Sequence, residues 1–258
     1  MTDNNGKTAL VFGGSRGIGA AIVDRLARDG YAVAFTYVSS EAAARAIEEG
    51  VVARGGRAKA IRADSGKAED IRAAVSTAVD CFGKLDAVVV NAGIFKIATI
   101  DAVPEADLDE MLRINVRGVF LSIQAAANQM KDGGRVVTIG SNVAIRTGFP
   151  GASVYQMTKA AVAAMVKGIA LDLAPRGITV NNVQPGPTSG PSGFRSQKRT
   201  PKSGRTDFAV PASAFWQRRR ERVRFQARVC LGGGRRWAVP DHGVGVPGAR
   251  DGGGGARG

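Results

Sequence analysis

Tyr155 and Lys159 stand one helical turn apart in Tyr155-Gln156-Met157-Thr158-Lys159, and Ser141 lies upstream of them. Residues four apart on a helix share a face, so this spacing lets an ammonium sit beneath a phenol. A free tyrosine titrates at about pH 10, and a nearby cation favours the phenolate. The expectation is a Tyr155 hydroxyl whose pKa Lys159 lowers, ready to exchange a proton with a carbonyl or an alcohol near neutrality. Ser141 can hydrogen-bond the same oxygen. Alone, Tyr-x-x-x-Lys carries almost no information, because a surface Tyr and Lys on an amphipathic helix produce it too. The pair gains weight from its company: Asn115 in a long helical pattern, and Asn181-Asn182-Val183-Gln184-Pro185-Gly186 closing a strand-like run.

A second set of residues suits a dinucleotide. The apolar run 8–12 leads straight into Gly13-Gly14-Ser15-Arg16-Gly17-Ile18-Gly19, which opens a helical pattern. Glycines permit a tight turn and let backbone approach phosphates, while a helix N-terminus offers N–H groups without intrahelical partners. Gly13, Ser15, Arg16, Gly17, Ile18 and Gly19 are the residues expected around a pyrophosphate. About 20 residues beyond such a loop, an acid marks an NAD site. Here the second strand runs out through Thr36-Tyr37-Val38-Ser39-Ser40, with no carboxylate. An acid would repel a 2′-phosphate, whereas Arg16, Ser39 and Ser40 can bind one by charge-assisted hydrogen bonds. NADP is therefore the expected cofactor. The alternatives are that Ser39 or Ser40 simply caps the next helix, and that the neighbouring Glu41 keeps NAD open. Asp64-Ser65 and Asn91-Ala92-Gly93 end two further runs, where helix capping and turn formation compete with cofactor contact. A cofactor loop and a proton donor in one domain together point to hydride transfer.

These residues need a scaffold, and the patterning supplies one. Strand patterns cover 8–12, 32–36, 58–63, 87–90, 135–139 and 179–183, and helical patterns cover 18–29, 41–54, 68–82, 108–130 and 160–173. Strands alternating with helices predict an α/β fold, a doubly wound, Rossmann-like parallel sheet with ligands at the carboxyl ends of the strands. With 258 residues, 44% of them hydrophobic, the chain has ample length for a buried core. No run approaches the roughly 20 apolar residues of a membrane helix, and the polar start, Met1 to Lys7, lacks the apolar centre of a secretory signal. Two cysteines, Cys81 and Cys230, form no framework, and a single histidine, His242, excludes a multi-histidine metal site. A cytoplasmic protein without a metal is expected.

The formal net charge of +14 raises the question of nucleic acid. Residues 188–258 carry 15 Lys and Arg against 4 Asp and Glu, while residues 1–187 carry 21 against 18. The basicity thus belongs to the tail. That tail holds 14 of the 35 glycines, both tryptophans and the run Arg218-Arg219-Arg220-Glu221-Arg222. Apart from a short helical pattern at 212–228 it shows no periodicity. Residues 1–187 are expected to form the cofactor-binding catalytic domain and 188–258 a basic, disordered or frameshifted tail. A frameshift near Thr188 or Ser189, translating GC-rich DNA into Arg, Gly and Pro, is the favoured reading over a divergent natural extension. Nonspecific, salt-sensitive nucleic-acid binding by the tail is the weakest functional reading.

In order and spacing, the glycine loop, Asn91-Ala92-Gly93, Asn115, Ser141, Tyr155/Lys159 and Pro185-Gly186 resemble the short-chain dehydrogenase/reductase family, from about Lys7 to Pro187. The resemblance is to its 3-oxoacyl-acyl-carrier-protein reductase branch. Val11 to Val23, Phe35-Thr36-Tyr37, Val90 to Ile94 and Val183 to Pro187 further resemble a subgroup linked to cyclic-di-GMP binding and biofilm dispersal. This implies an NADP(H)-dependent oxidoreductase acting on a small carbonyl or alcohol, with a cyclic-di-GMP-binding regulator on the same fold as the alternative. It also implies that Lys159 holds the nicotinamide ribose and Asn115 anchors a water in a proton relay. Asp64 would meet adenine, and Asn91-Ala92-Gly93, Pro185 and Gly186 would line the cofactor. Members associate through long helices, here 108–130 and 160–173, and through a last strand and helix whose pattern is absent from the tail. A homo-oligomer through the long helices is expected. Phe12 stands where the family usually has Thr, which removes a hydroxyl that braces the turn. Lys96, Arg146 and Phe149 flank the pocket mouth and read as ordinary loop residues.

Overall fold

The structure, a computed structural model, describes residues 6–186 and 188. Pro187, most of the basic tail and the helical pattern at 212–228 lie outside the described residues. Six strands, β1 (Thr8–Phe12), β2 (Ala32–Tyr37), β3 (Arg57–Arg62), β4 (Leu85–Val90), β5 (Met130–Ile139) and β6 (Thr179–Val183), form one sheet in the order β3-β2-β1-β4-β5-β6. All five pairings are parallel. The doubly wound sheet expected from the sequence is the fold observed.

Every β1 side chain is buried, as a parallel strand covered on both faces requires. Its residues alternate between two apolar layers. Leu10 and Phe12 join Val88, Val90 and Val136 beneath α3 (Ala68–Phe82), α5 (Val119–Gln129) and α6 (Ser153–Leu173). Val11 joins Val33, Phe35 and Val89 beneath α1 (Gly17–Arg28) and α2 (Glu41–Val52). Strand order reverses between β1 and β4, whose ends are in register at Phe12 and Val90. In such sheets the ligand crevice opens outside the carboxyl ends at this reversal, so the Gly13 loop and the Asn91 turn share one rim.

Of the boundaries that differ from the sequence expectation, two bear on the site. The helix expected at 108–130 begins earlier, as α4 (Glu105–Leu112), passes through a π-helical turn at Arg113–Gly118 and continues as α5. Single π turns inside α-helices are frequent at functional sites, and this one contains Asn115. The helix expected from residue 160 begins at Ser153, so Tyr155 and Lys159 both lie within α6. Its first turn carries Ser153, Val154 and Tyr155, poor helix formers that blur the apolar period. Among the described residues, no helix is long and apolar enough to cross a membrane.

Candidate active site

The glycine loop is shaped by its neighbours. Gly13 has φ +78°, and a Cβ there would lie 2.9 Å from the Ala92 Cα. A Cβ on Gly19 would fall on the carbonyl oxygen of Gly13. The Gly13 carbonyl accepts from Asn91 Nδ2 at 2.7 Å, and the Ala92 N–H donates to the Phe12 carbonyl at 2.8 Å. Asn91-Ala92 therefore braces the loop, in addition to ending β4. On the other side, Gly13 N–H donates to Thr36 Oγ1 at 2.9 Å and Gly14 N–H to the Thr36 carbonyl at 2.9 Å. Phe12 is fully buried in the core. The hydroxyl missing at position 12 is thus supplied across the sheet by Thr36, which sequence reading passed over. Its signal was a polar residue inside an otherwise apolar strand end.

Arg16 is the exposed residue immediately before α1, and Ser39 is exposed beyond the end of β2. The Thr36 hydrogen bonds hold the loop against that strand end. Ser40 occupies the N-cap of α2 but makes no side-chain capping bond, so the capping alternative is not realised there. Glu41 is engaged by Arg45 one turn on, Oε1 to Nη2 at 2.6 Å. Asp64 does not cap α3 either: its Oδ1 accepts from the Gly66 N–H at 2.8 Å, and its Oδ2 faces Arg113 Nη1 at 3.5 Å. Ser65 beside it is buried, with its carbonyl against Gly118 of the π-helical turn.

Ser141, Tyr155, Lys159 and Asn115 converge at the ends of β4 and β5. Asn115 is fully buried. Its Oδ1 accepts from the Ile94 N–H at 2.8 Å, and its Nδ2 donates to the Ile94 carbonyl at 2.8 Å and to Thr158 Oγ1 at 3.3 Å. Both amide hydrogens are thereby committed, which leaves only acceptor capacity for a water. Lys159 is 5% exposed and donates to the Ile139 carbonyl at 2.9 Å. A Cβ on Gly93 would lie 3.2 Å from Asn115 Oδ1, so the missing side chain leaves room for that amide. The Pro185-Gly186 end of β6 meets the Ser141 loop, where Asn142 N–H donates to the Pro185 carbonyl at 3.0 Å.

The electrostatics correct the expectation for Tyr155. Burial pushes its phenol above the ordinary value, and only the Ser141 hydrogen bond pulls the other way. Lys159 does not lower it: Nζ lies 5.7 Å from the ring centroid and is bonded to the Ile139 carbonyl. Burial instead depresses the ammonium itself, to about 8. Desolvation disfavours the charged form of each group, so it drives the two pKa values apart, the phenol upward and the ammonium downward.

Sequence reading also missed Phe95. Its ring meets that of Tyr155 edge-on, centroids 4.6 Å apart at 71°, and that of Phe149 at 6.4 Å and 90°. Lys96, on the same segment, pairs with Asp107 at 2.6 Å and Glu110 at 2.5 Å of α4. Arg146 is exposed.

Known proteins fit this geometry. The family model for short chain dehydrogenase matches residues 7–201, past Pro187 where the recognisable motifs stop. The cyclic-di-GMP-binding biofilm dispersal mediator protein of Escherichia coli is 42% identical over 182 residues, 70% of this chain and 73% of the relative. The 3-oxoacyl-[acyl-carrier-protein] reductase of Staphylococcus aureus is 41% identical over 182 residues, 70% of this chain and 74% of the relative. A short chain dehydrogenase from Burkholderia cenocepacia, solved in complex with NADP, is 47% identical with a TM-score of 0.73, covering 74% of this chain and 78% of its own. With the glycine turn, the buried Lys159 and the Ser141–Tyr155 pair on a six-stranded parallel sheet, the chain belongs to the short chain dehydrogenase family of oxidoreductases, near its 3-oxoacyl-acyl-carrier-protein reductase branch.

Proposed function

We propose that this protein is an NADP(H)-dependent carbonyl reductase or alcohol dehydrogenase. The observation that carries the reading is the convergence of Ser141, Tyr155 and Lys159 beside a glycine loop that side chains would fill. NADPH, when bound, supplies the hydride that reaches the carbonyl carbon. Gly13, Ser15, Arg16, Gly17, Ile18 and Gly19 present the loop and the first turn of α1 to the pyrophosphate. Arg16, Ser39 and Ser40 take the 2′-phosphate, Asp64 and Ser65 border the adenine, and Asn91, Ala92, Gly93, Pro185 and Gly186 line the remainder. Tyr155 donates its hydroxyl proton to the carbonyl oxygen, and Ser141 hydrogen-bonds that oxygen. Lys159 holds the nicotinamide ribose and keeps a positive charge near the phenol, and Asn115 accepts a hydrogen bond from a relay water.

Cofactor choice is the direct test. Arg16 is exposed at the loop, and Glu41, the nearest acid beyond β2, is paired with Arg45. The specificity constant for NADPH should exceed that for NADH with a small ketone or β-keto ester, and Arg16→Ala should reduce the ratio about tenfold, one charge-assisted contact's worth. A clear NADH preference in steady-state assays would reject the assignment.

A homodimer through the long helices is also expected. Leu112 and Phe120 on α4 and α5, and Met157 and Leu171 on α6, leave large apolar side chains exposed. Light scattering after size-exclusion chromatography should give a dimer, whereas a monodisperse monomer would contradict the helix interface. The regulatory alternative rests on the 42% identity to the cyclic-di-GMP-binding relative. Calorimetric titration with cyclic-di-GMP and with NADPH separates the two, and the assembled proton-donor cluster favours the enzyme.

A further inference from the structure

We propose that Phe95 and Phe149 form an aromatic wall beside Tyr155 that selects carbonyl substrates bearing an aryl group next to the reacting carbon. The inference rests on the oxidoreductase reading above and names the substrate class of that site.

Phe95 is held in place rather than left loose at a pocket mouth. On one side of it, Asn115 grips both the N–H and the carbonyl of Ile94 at 2.8 Å. On the other, Lys96 is drawn to Asp107 and Glu110 of α4. Further along, the Ala98 N–H donates to the Gly151 carbonyl at 3.1 Å, tying the segment to the loop that carries Phe149. Side-chain and backbone clamps thus fix the 94–98 segment against two helices and a neighbouring loop. Held there, the Phe95 ring touches Tyr155 and Phe149 edge-on yet remains 42% exposed.

An exposed aromatic ring 4.6 Å from the proton-donating phenol ring borders whatever molecule that phenol reaches. Its chemistry is apolar and quadrupolar. Ile97, on the same segment, is a second exposed apolar side chain. The one cation of the segment, Lys96, is neutralised by two carboxylates on α4. A flat aryl ring gains edge-to-face or offset contacts with such a wall that a saturated ring of similar size does not.

The test uses the full chain with NADPH and two ketones of matched size, acetophenone and cyclohexyl methyl ketone. Comparing the wild type with Phe95→Leu cancels the intrinsic reactivities, because Leu keeps an apolar side chain and removes only the ring. The ratio of specificity constants, aryl over saturated, should fall about tenfold in Phe95→Leu and less in Phe149→Leu. A second readout needs no turnover. Saturation-transfer NMR on the NADP-loaded chain should show 1-phenylethanol binding more tightly than 1-cyclohexylethanol, with the difference lost in Phe95→Leu. Turnover of both ketones, or binding of both alcohols, with ratios unchanged by Phe95→Leu overturns the wall and leaves the oxidoreductase reading standing. If NADPH binds but neither ketone reacts and neither alcohol binds, both readings are overturned.

Discussion

Tyr155→Phe should lower kcat for ketone reduction by about 10²–10⁴-fold, the usual contribution of a positioned general acid, while NADPH affinity changes little. The substitution removes one oxygen and keeps the ring that packs against Phe95. With Ser141 still in place, the carbonyl oxygen retains a hydrogen-bond donor but has no acid to protonate it. The phenol's raised pKa favours the protonated form needed for reduction. Steady-state kinetics together with fluorescence titration of NADPH checks both halves. Turnover within a few-fold of wild type would rule out Tyr155 as the proton donor.

Lys159→Met should have the other large effect, and in two directions at once. Turnover should fall by about two orders of magnitude or more, and NADPH affinity should weaken as well, because the ammonium is assigned to both the ribose and the phenol. Stability should move the opposite way at neutral pH. The folded-state pKa, about 8, lies below the ordinary 10.5. Below pH 8 both folded and unfolded chains hold the proton, and the folded chain carries the full penalty of burying the charge. Between about 8 and 10.5 the unfolded chain binds more protons, so wild-type stability rises with pH across that window. A displacement of this size corresponds to roughly 3 kcal/mol. Lys159→Met removes the charge, so at pH 7 it should be more stable than wild type by up to about that amount, with the advantage fading as pH approaches 10.5. Urea denaturation at pH 7 and at pH 10 measures it. A wild-type stability that falls between pH 8 and 10.5, parallel to the variant, would show that the ammonium is not buried as described. The same titration predicts that reduction by the wild type declines above about pH 8 as Lys159 loses its proton.

The sequence by itself determined the architecture and singled out the candidate reacting groups. Largely apolar runs such as Thr8–Phe12 and Ala32–Tyr37 suit a sheet covered on both faces, and the helical patterns between them point to parallel crossovers. The positions of Gly13 and Gly19 were legible because only glycine tolerates the positive φ of the first and the close neighbours of both. Ser141, Tyr155 and Lys159 were legible only together with the glycine loop, Asn91-Ala92-Gly93, Asn115 and Pro185-Gly186, because a Tyr and a Lys one turn apart are common on helix faces. What only the tertiary structure decided are the interactions between residues far apart in the chain. Thr36 braces Gly13 across 23 positions, Asn115 grips Ile94 across 21, and Phe95 meets Tyr155 across the cleft. No local pattern encodes which side chain will face which once the sheet closes. The sign of the Tyr155 shift was misread for the same reason. Spacing places a cation one turn away, but depth of burial and the competing Ile139 carbonyl decide where that charge acts, and desolvation at this depth outweighs a cation 5.7 Å from the ring.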